Sequence, residues 1–285
     1  MASQTSPCFV FLLFSITFSS AYSSIFFITN NCPYTIWPGT LSGSGTPPLP
    51  TTGFQLYSGQ SARIDSVPGW SGRIWARTGC TFNELGVGTC QTGDCGGRLE
   101  CDGNGATPSA SLFEITLGKG NDKDFYDVSI VDGYNLPLVA TPRGVYGTCN
   151  ATGCVSDINT GCPKELQVVG GESEGNVIGC KSACDAFGSD QYCCSGQFAN
   201  PTTCQPSSYS TIFKRACPSA TVMLLMMPQA LLHARLLNMP LFSAPTATGR
   251  VNRIAPWHLQ DFKCLALGRL CRSLPPQTCF YQFRR

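Results

Sequence analysis

Eighteen cysteines in 285 residues set the terms on which this chain can fold. Cysteine at that density means either a disulfide framework or a set of metal sites, and the compartment decides which. Residues 8–18 (CFVFLLFSITF) are an apolar run of signal-peptide length, too short to cross a bilayer. Ala21-Tyr22-Ser23 puts small residues at the two positions a signal peptidase reads, although the n-region lacks Lys and Arg. Residues 1–23 are therefore expected to be a leader that takes Cys8 with it, Ser24 the mature N-terminus, and the product extracellular. Zinc is disfavoured, because no C-x-x-C spacing occurs and both histidines, His233 and His258, lie near the C-terminus. The same distribution removes a histidine base or a Ser-His-Asp triad from residues 1–220. No metal or other cofactor is expected.

From residue 24 to about 145 the texture is β. Runs rich in β-branched and aromatic residues (IFFIT, YTIWPG, SARIDSV, GRIWARTG, SLFEITL, FYDVSIVDG) are separated by clusters of Gly, Pro, Ser and Asn. That spacing predicts an antiparallel sandwich or barrel. Residues 146–204 differ: eight cysteines in 59 residues, little strand pattern, and short helices at most (PKELQVV, KSACDAFG). A segment of this kind cannot bury a large apolar core and relies on cross-links. It reads as a loop-rich lobe inserted in the β domain, which resumes over 205–220. Asn150-Ala151-Thr152 at its entrance is a glycosylation sequon, with Cys149 beside it to limit access.

Residues 221–285 are out of keeping. They carry eight Arg or Lys and one acid, Asp261, net +7, whereas residues 1–220 are net −5. Read functionally, such a tail is a basic arm for anionic surfaces. Its apolar run, 221–232, is too short and too interrupted by Pro228, Arg235 and Pro240 to span a membrane.

GVGTCQTGDCGGRLEC at 86–101 resembles the signature of the thaumatin-like, pathogenesis-related proteins of plants: Gly, Cys, Thr-Gly-Asp-Cys, Gly and Cys at fixed spacing. NNCPYTIWPGTL at Asn30, GRIWARTGC at Gly72, DFYDVSIVDGYNLP at Asp124, QYCCSG at Gln191 and YSTIFKRACP at Tyr209 are similar to further blocks of that family. The resemblance implies a mainly β fold, an antiparallel sandwich with an inserted disulfide-rich lobe of loops and short helices. It also implies the pairs Cys80–Cys90, Cys95–Cys101, Cys154–Cys217, Cys162–Cys180, Cys184–Cys193 and Cys194–Cys204. Cys32 and Cys149 are left unpaired, because their family partners lie in closing strands that this chain lacks. One lost base after the Ala220 codon accounts for that lack. Met226-Met227-Pro228 requires ATG ATG CC, which in the other frame contains GAT GCC, Asp-Ala. With codons chosen freely, residues 221–245 then read YSYAFDDATSTFTCAAAEYAIIFCP, the ending such proteins have, with the absent cysteines at Ala234 and Ala244. On this reading 221–285 is a frameshifted tail, two strands are missing, and their neighbours are bare edges.

The resemblance further implies a cleft between sandwich and lobe lined by Arg73, Glu114, Asp127, Asp132 and one more Asp, from an Asp-Asp pair replaced here by Met226-Met227. Asp127 and Asp132 are an odd number apart and would face opposite sides of one regular strand. A bulge, or the turn at Gly133, must re-aim one of them. Carboxylates crowded in one groove repel, and a cation such as Arg73 lowers that cost. An acidic, hydroxyl-accepting groove suits a neutral β-1,3-glucan of a fungal wall or a fungal surface component. The alternative is hydrolysis, with Glu114 and Asp127 or Asp132 as the paired carboxyls that a glycosidase needs. The expected product is a monomeric antifungal protein of the apoplast, with the vacuole as the other destination. It has no nucleic-acid partner and no transmembrane span. Protease or amylase inhibition has no support in these residues.

Overall fold

The computed structural model describes residues 24–119, 122–143, 151–170 and 175–224, together with the backbone of two strands, Leu232–Ala234 and Tyr281–Arg284. The strands in chain order are β1 (Ser24–Asn30), β2 (Trp37–Ser42), β3 (Ser61–Ser66), β4 (Ser71–Arg77), β5 (Thr81–Phe82), β6 (Gly88–Thr89), β7 (Leu112–Thr116), β8 (Asp124–Ser129), β9 (Leu138–Thr141), β10 (Thr152–Cys154), β11 (Gln167–Val169), β12 (Val177–Cys180), β13 (Leu232–Ala234) and β14 (Tyr281–Arg284). Two five-stranded sheets hold most of them, in the orders β10-β9-β14-β1-β3 and β13-β8-β7-β4-β2. Every pairing within them is antiparallel except β14 on β9. The fold is the mainly antiparallel sandwich that the strand spacing predicts.

Alternation along the strands builds the core. In β4 Ile74 and Ala76 point inward, in β7 Phe113 and Ile115, and in β8 Tyr126 and Val128. They meet Phe26 and Ile28 of β1, Ile64 of β3, and Leu138 and Ala140 of β9, all buried. Phe26 packs edge-on against Trp70 and Phe113, with ring centroids at 5.5 and 6.3 Å. The period of two then obliges Arg73, Trp75, Arg77, Leu112, Glu114, Thr116, Phe125, Asp127 and Ser129 to share the opposite face of the second sheet.

One half of that outer face is covered. Trp75 and Leu112 form a second small core with Cys95, Cys101 and Ala110, supplied by the loop after β6. Gly39 makes room for it: a Cβ there would lie 2.6 Å from the Trp75 ring. Arg77, fully buried, ties the same loop down, donating to the carbonyls of Trp37, Pro38, Arg98 and Leu99 at 2.7–3.1 Å.

The cysteine-rich lobe has a core of its own, in which Ile158, Leu166, Phe213 and six cysteines meet Ile130 and Tyr134 from the end of the sandwich. All six disulfides named above are present. Its helices are α1 (Ala183–Phe187), α2 (Asp190–Cys193) and α3 (Ser208–Ala216). Two local expectations change. PKELQVV is a single 3-10 turn, Lys164–Leu166, followed by β11, because Val168 and Val169 pair with β12. Residues 205–220, assigned to the sandwich, instead carry α3, whose Phe213 packs in the lobe core. Ser207 and Ser210 close a reciprocal capping box at its start.

The tail departs furthest from expectation. Thr221, Val222 and Met223 are buried, β13 lies along β8, and β14 sits between β1 and β9. The two sandwich positions are therefore occupied rather than left as bare edges. Unpaired strand edges are costly, and backbone hydrogen bonding depends little on which side chains the incoming segment brings. Cys32 is disulfide-bonded, which corrects the expectation of a free thiol. Cys149, Asn150, Met226, Met227 and the proposed leader lie outside the described residues. No helix among the described residues is long and apolar enough to cross a membrane.

Candidate functional site

The uncovered half of the outer face holds the charges. Arg73 on β4 stands opposite Glu114 on β7, and Glu114 stands opposite Asp127 on β8, so three neighbouring strands present one straight row. Residues directly opposite in an antiparallel pair have Cβ atoms about 4.5–5.5 Å apart. Ser71 and Thr116 form the next row outward, their hydroxyls 2.8 Å apart. Phe125 closes the rim with 38% of its surface exposed. With residues 41–44 as the far wall, these side chains line an open groove of about 450 Å³.

The electrostatics follow from partial burial. The Arg73 guanidinium lies 3.6 Å from the Glu114 carboxyl, and both side chains keep contact with solvent. Burial pushes the Glu114 carboxyl above its ordinary range; the Asp127 carboxylate adds to the rise, Arg73 draws it back, and Asp132 adds a smaller push. Asp127 is only 5% exposed, and burial raises its carboxyl too. The opposing effect is a hydrogen bond: the Thr221 hydroxyl donates to Asp127 Oδ2 at 2.7 Å. Two adjacent carboxyls, both raised by burial, beside one cation can accept sugar hydroxyls, or divide a proton between them.

Asp132 reaches the site by a turn. Strand β8 ends at Ser129, and Gly133 has φ +87°, a left-handed value that an L side chain resists. A Cβ there would also lie 2.7 Å from Ser109 and 2.8 Å from the Cys180 carbonyl. The chain doubles back, so Asp132 acts on Glu114 through the field while its side chain lines a second cavity, of about 330 Å³. That cavity lies against α1, α2 and α3 and is lined in part by Tyr192, Gln191 and Asp185. Among the described residues there is no cluster of three or more metal-ligating side chains.

The structure thus brings Arg73, Glu114 and Asp127 into one groove and sets Asp132 outside it, in the lining of the second cavity, from which its charge acts on Glu114. Sequence reasoning missed two contributors. Thr221 was set aside with the tail, and its hydroxyl is visible to a sequence only as one threonine among many. Arg77 lies four residues after Arg73 and faces the same side, so alternation could not tell a buried anchor from an exposed charge.

Comparison with known proteins bears on the whole arrangement. The model of the thaumatin family matches residues 30–228. Thaumatin-like protein 1 of Pyrus pyrifolia is 50% identical over 210 residues, 73% of this chain and 85% of that protein. Pathogenesis-related protein 5 of Arabidopsis thaliana is 50% identical over 220 residues, 77% of this chain and 90% of that protein. A protein of Prunus avium named glucan endo-1,3-beta-glucosidase is 47% identical over 206 residues, 72% of this chain and 83% of that protein. A solved structure, that of a thaumatin-like xylanase inhibitor, aligns at 34% identity over 44% of this chain and 78% of that one, with a TM-score of 0.35. By the span of the family match and the identity of these relatives, this chain belongs to the thaumatin family.

Proposed function

We propose that this is a secreted, monomeric antifungal protein that binds β-1,3-glucan of fungal walls in the groove of Arg73, Glu114 and Asp127. The observation that carries the reading is the row Arg73–Glu114–Asp127, laid across three strands on the open half of a sheet face whose other half is sealed. The carboxyls accept hydroxyl protons of a neutral sugar, Arg73 donates to its oxygens, and Phe125 offers a ring face to its apolar side. The name of the Prunus avium relative supports a glucan as the sugar.

The test is retention on insoluble β-1,3-glucan. Glu114→Gln with Asp127→Asn keeps shape and removes both charges. Each lost charge-assisted hydrogen bond is worth about 1.5–3 kcal/mol, so affinity is expected to fall at least tenfold. Undiminished retention of the double variant would remove the groove from the account.

A second reading is favoured by the pairing of Glu114 with Asp127. Direct cross-strand neighbours suit the carboxyl separation of retaining glycosidases, about 5–5.5 Å, better than that of inverting ones, about 6.5–9.5 Å. Glu114, held above its usual range, would serve as the acid and Asp127 as the nucleophile. Release of reducing ends from linear β-1,3-glucan, abolished in the double variant, separates hydrolysis from binding alone.

The decoding of residues 221–245 supports a third: the chain is a family member altered at its C-terminal end, with impaired function. Replacing 221–285 by YSYAFDDATSTFTCAAAEYAIIFCP is then expected to raise both melting temperature and glucan retention. Equal values for the two chains would dispose of this reading.

A further inference from the structure

Asp127 is flanked on one side by Glu114 and on the other by Thr221. Thr221 is 1% exposed and is clamped to β8 by its backbone: its N–H donates to the Val128 carbonyl at 2.8 Å, and its own carbonyl accepts from Ile130 N–H at 2.8 Å. It forms a parallel bridge to Ser129. The clamp fixes the direction of the hydroxyl, which donates to Asp127 Oδ2 at 2.7 Å. The segment is itself anchored one residue upstream, where Lys214 Nζ of α3 donates to the Ala220 carbonyl at 2.9 Å. An O–H donor at that distance favours the ionised carboxylate as its acceptor. The cation in the row, Arg73, lies instead beside Glu114.

We propose that Thr221 is the positioning residue that divides the roles within the acid pair: it holds Asp127 as the ionised acceptor and leaves Glu114 as the carboxyl that retains its proton longest. The assignment rests on the groove being the ligand site, as proposed above, but it concerns the protein without ligand and can be measured there. Glu114 faces two acids, Asp127 on β8 and Asp132 in the turn after it, and one cation, Arg73 on β4. Asp127 faces Glu114 on β7 and the Thr221 hydroxyl, with Lys214 behind the segment that bears Thr221. With one acceptor site of Oδ2 engaged by Thr221, Oδ1 and the Glu114 carboxyl are the freer places for a shared proton or a sugar hydroxyl. Burial raises both carboxyls; the Thr221 hydrogen bond opposes the rise at Asp127, while at Glu114 the charges of Asp127 and Asp132 add to it and Arg73 opposes it.

The experiment is a side-chain carboxyl ¹³C titration of the full-length protein and of Thr221→Val and Thr221→Ser. In the parent protein Asp127 is expected to ionise at lower pH than Glu114. Thr221→Val should raise the Asp127 midpoint by about one to two pH units, the worth of one charge-assisted hydrogen bond, and Thr221→Ser should restore it. Amide spectra of each variant report whether the fold is kept. An Asp127 midpoint unmoved by valine, or moved equally by serine, overturns the proposal. So does the reverse order of ionisation in the parent, a result that needs no variant. Loss of glucan retention is scored separately: if the parent does not bind glucan, the ligand assignment fails while the titration still decides the role of Thr221.

Discussion

Arg77→Met is expected to keep the protein from accumulating in folded form. Methionine matches much of the volume of arginine and can donate no hydrogen bond. Four carbonyls, those of Trp37, Pro38, Arg98 and Leu99, lose a guanidinium donor that is itself fully buried, and that of Pro38 keeps a second donor, the Phe54 N–H at 3.2 Å. Each buried acceptor left unsatisfied costs about 1–3 kcal/mol. Three such acceptors total roughly 3 kcal/mol or more, a large share of the whole stability of a domain, about 5–15 kcal/mol. The loss is not local. Arg77 Nη1 also lies 3.2 Å from Cys95 Sγ, and the loop it holds covers Trp75 and the sealed half of the outer face. Lysine is expected to rescue little, because one ammonium cannot reach donors' positions fixed by a planar fork. Secreted yield and thermal unfolding measure the effect. A Met variant that melts within about 2 °C of the parent, less than 1 kcal/mol for a domain of this size, would show that the network is dispensable.

The second large effect is expected from Cys154→Ser with Cys217→Ser. This disulfide spans 63 residues of sequence, against 10 for Cys194–Cys204. Loop-closure entropy assigns it about 4 kcal/mol and the shorter one about 3 kcal/mol. It also joins β10 to the end of α3, four residues before Thr221. Two hydrogen bonds span the same junction: Thr152 Oγ1 to the Ser219 carbonyl at 2.8 Å and Ser156 Oγ to the Ala216 carbonyl at 2.9 Å. They hold the segment in place at low temperature but do not restrict the unfolded chain. The double serine variant should therefore fold and show a melting temperature lower by about 10 °C. A drop no greater than that caused by opening Cys194–Cys204 would place the stabilisation elsewhere.

The sandwich was legible because β4, β7 and β8 alternate cleanly, with Ile74, Phe113, Ile115, Tyr126 and Val128 inward and the charged row outward. The six disulfides came from the family resemblance, since spacing alone does not choose among pairings. Helix α3 escaped notice: its nine residues include four of Ser, Thr and Tyr and offer little apolar periodicity, and it is the capping box and Phe213 in the lobe core that hold it. The tail was misjudged in part because composition describes side chains, whereas a vacant strand position asks first for backbone. Strands β13 and β14 fill such positions with residues that share nothing in pattern with their neighbours. Thr221 was lost with them, although its value to Asp127 lies in one hydroxyl that only the clamp on β8 aims.

The central claim is that the row Arg73–Glu114–Asp127 is where glucan binds, and chemical-shift mapping with a linear β-1,3-linked hexasaccharide tests it most directly. The account predicts saturable amide shifts concentrated on Ser71, Gly72, Arg73, Glu114, Thr116, Phe125 and Asp127, absent in the Glu114→Gln, Asp127→Asn double variant. Saturable shifts that map to another face while these residues stay unmoved, or no shifts at any ligand concentration, would contradict it.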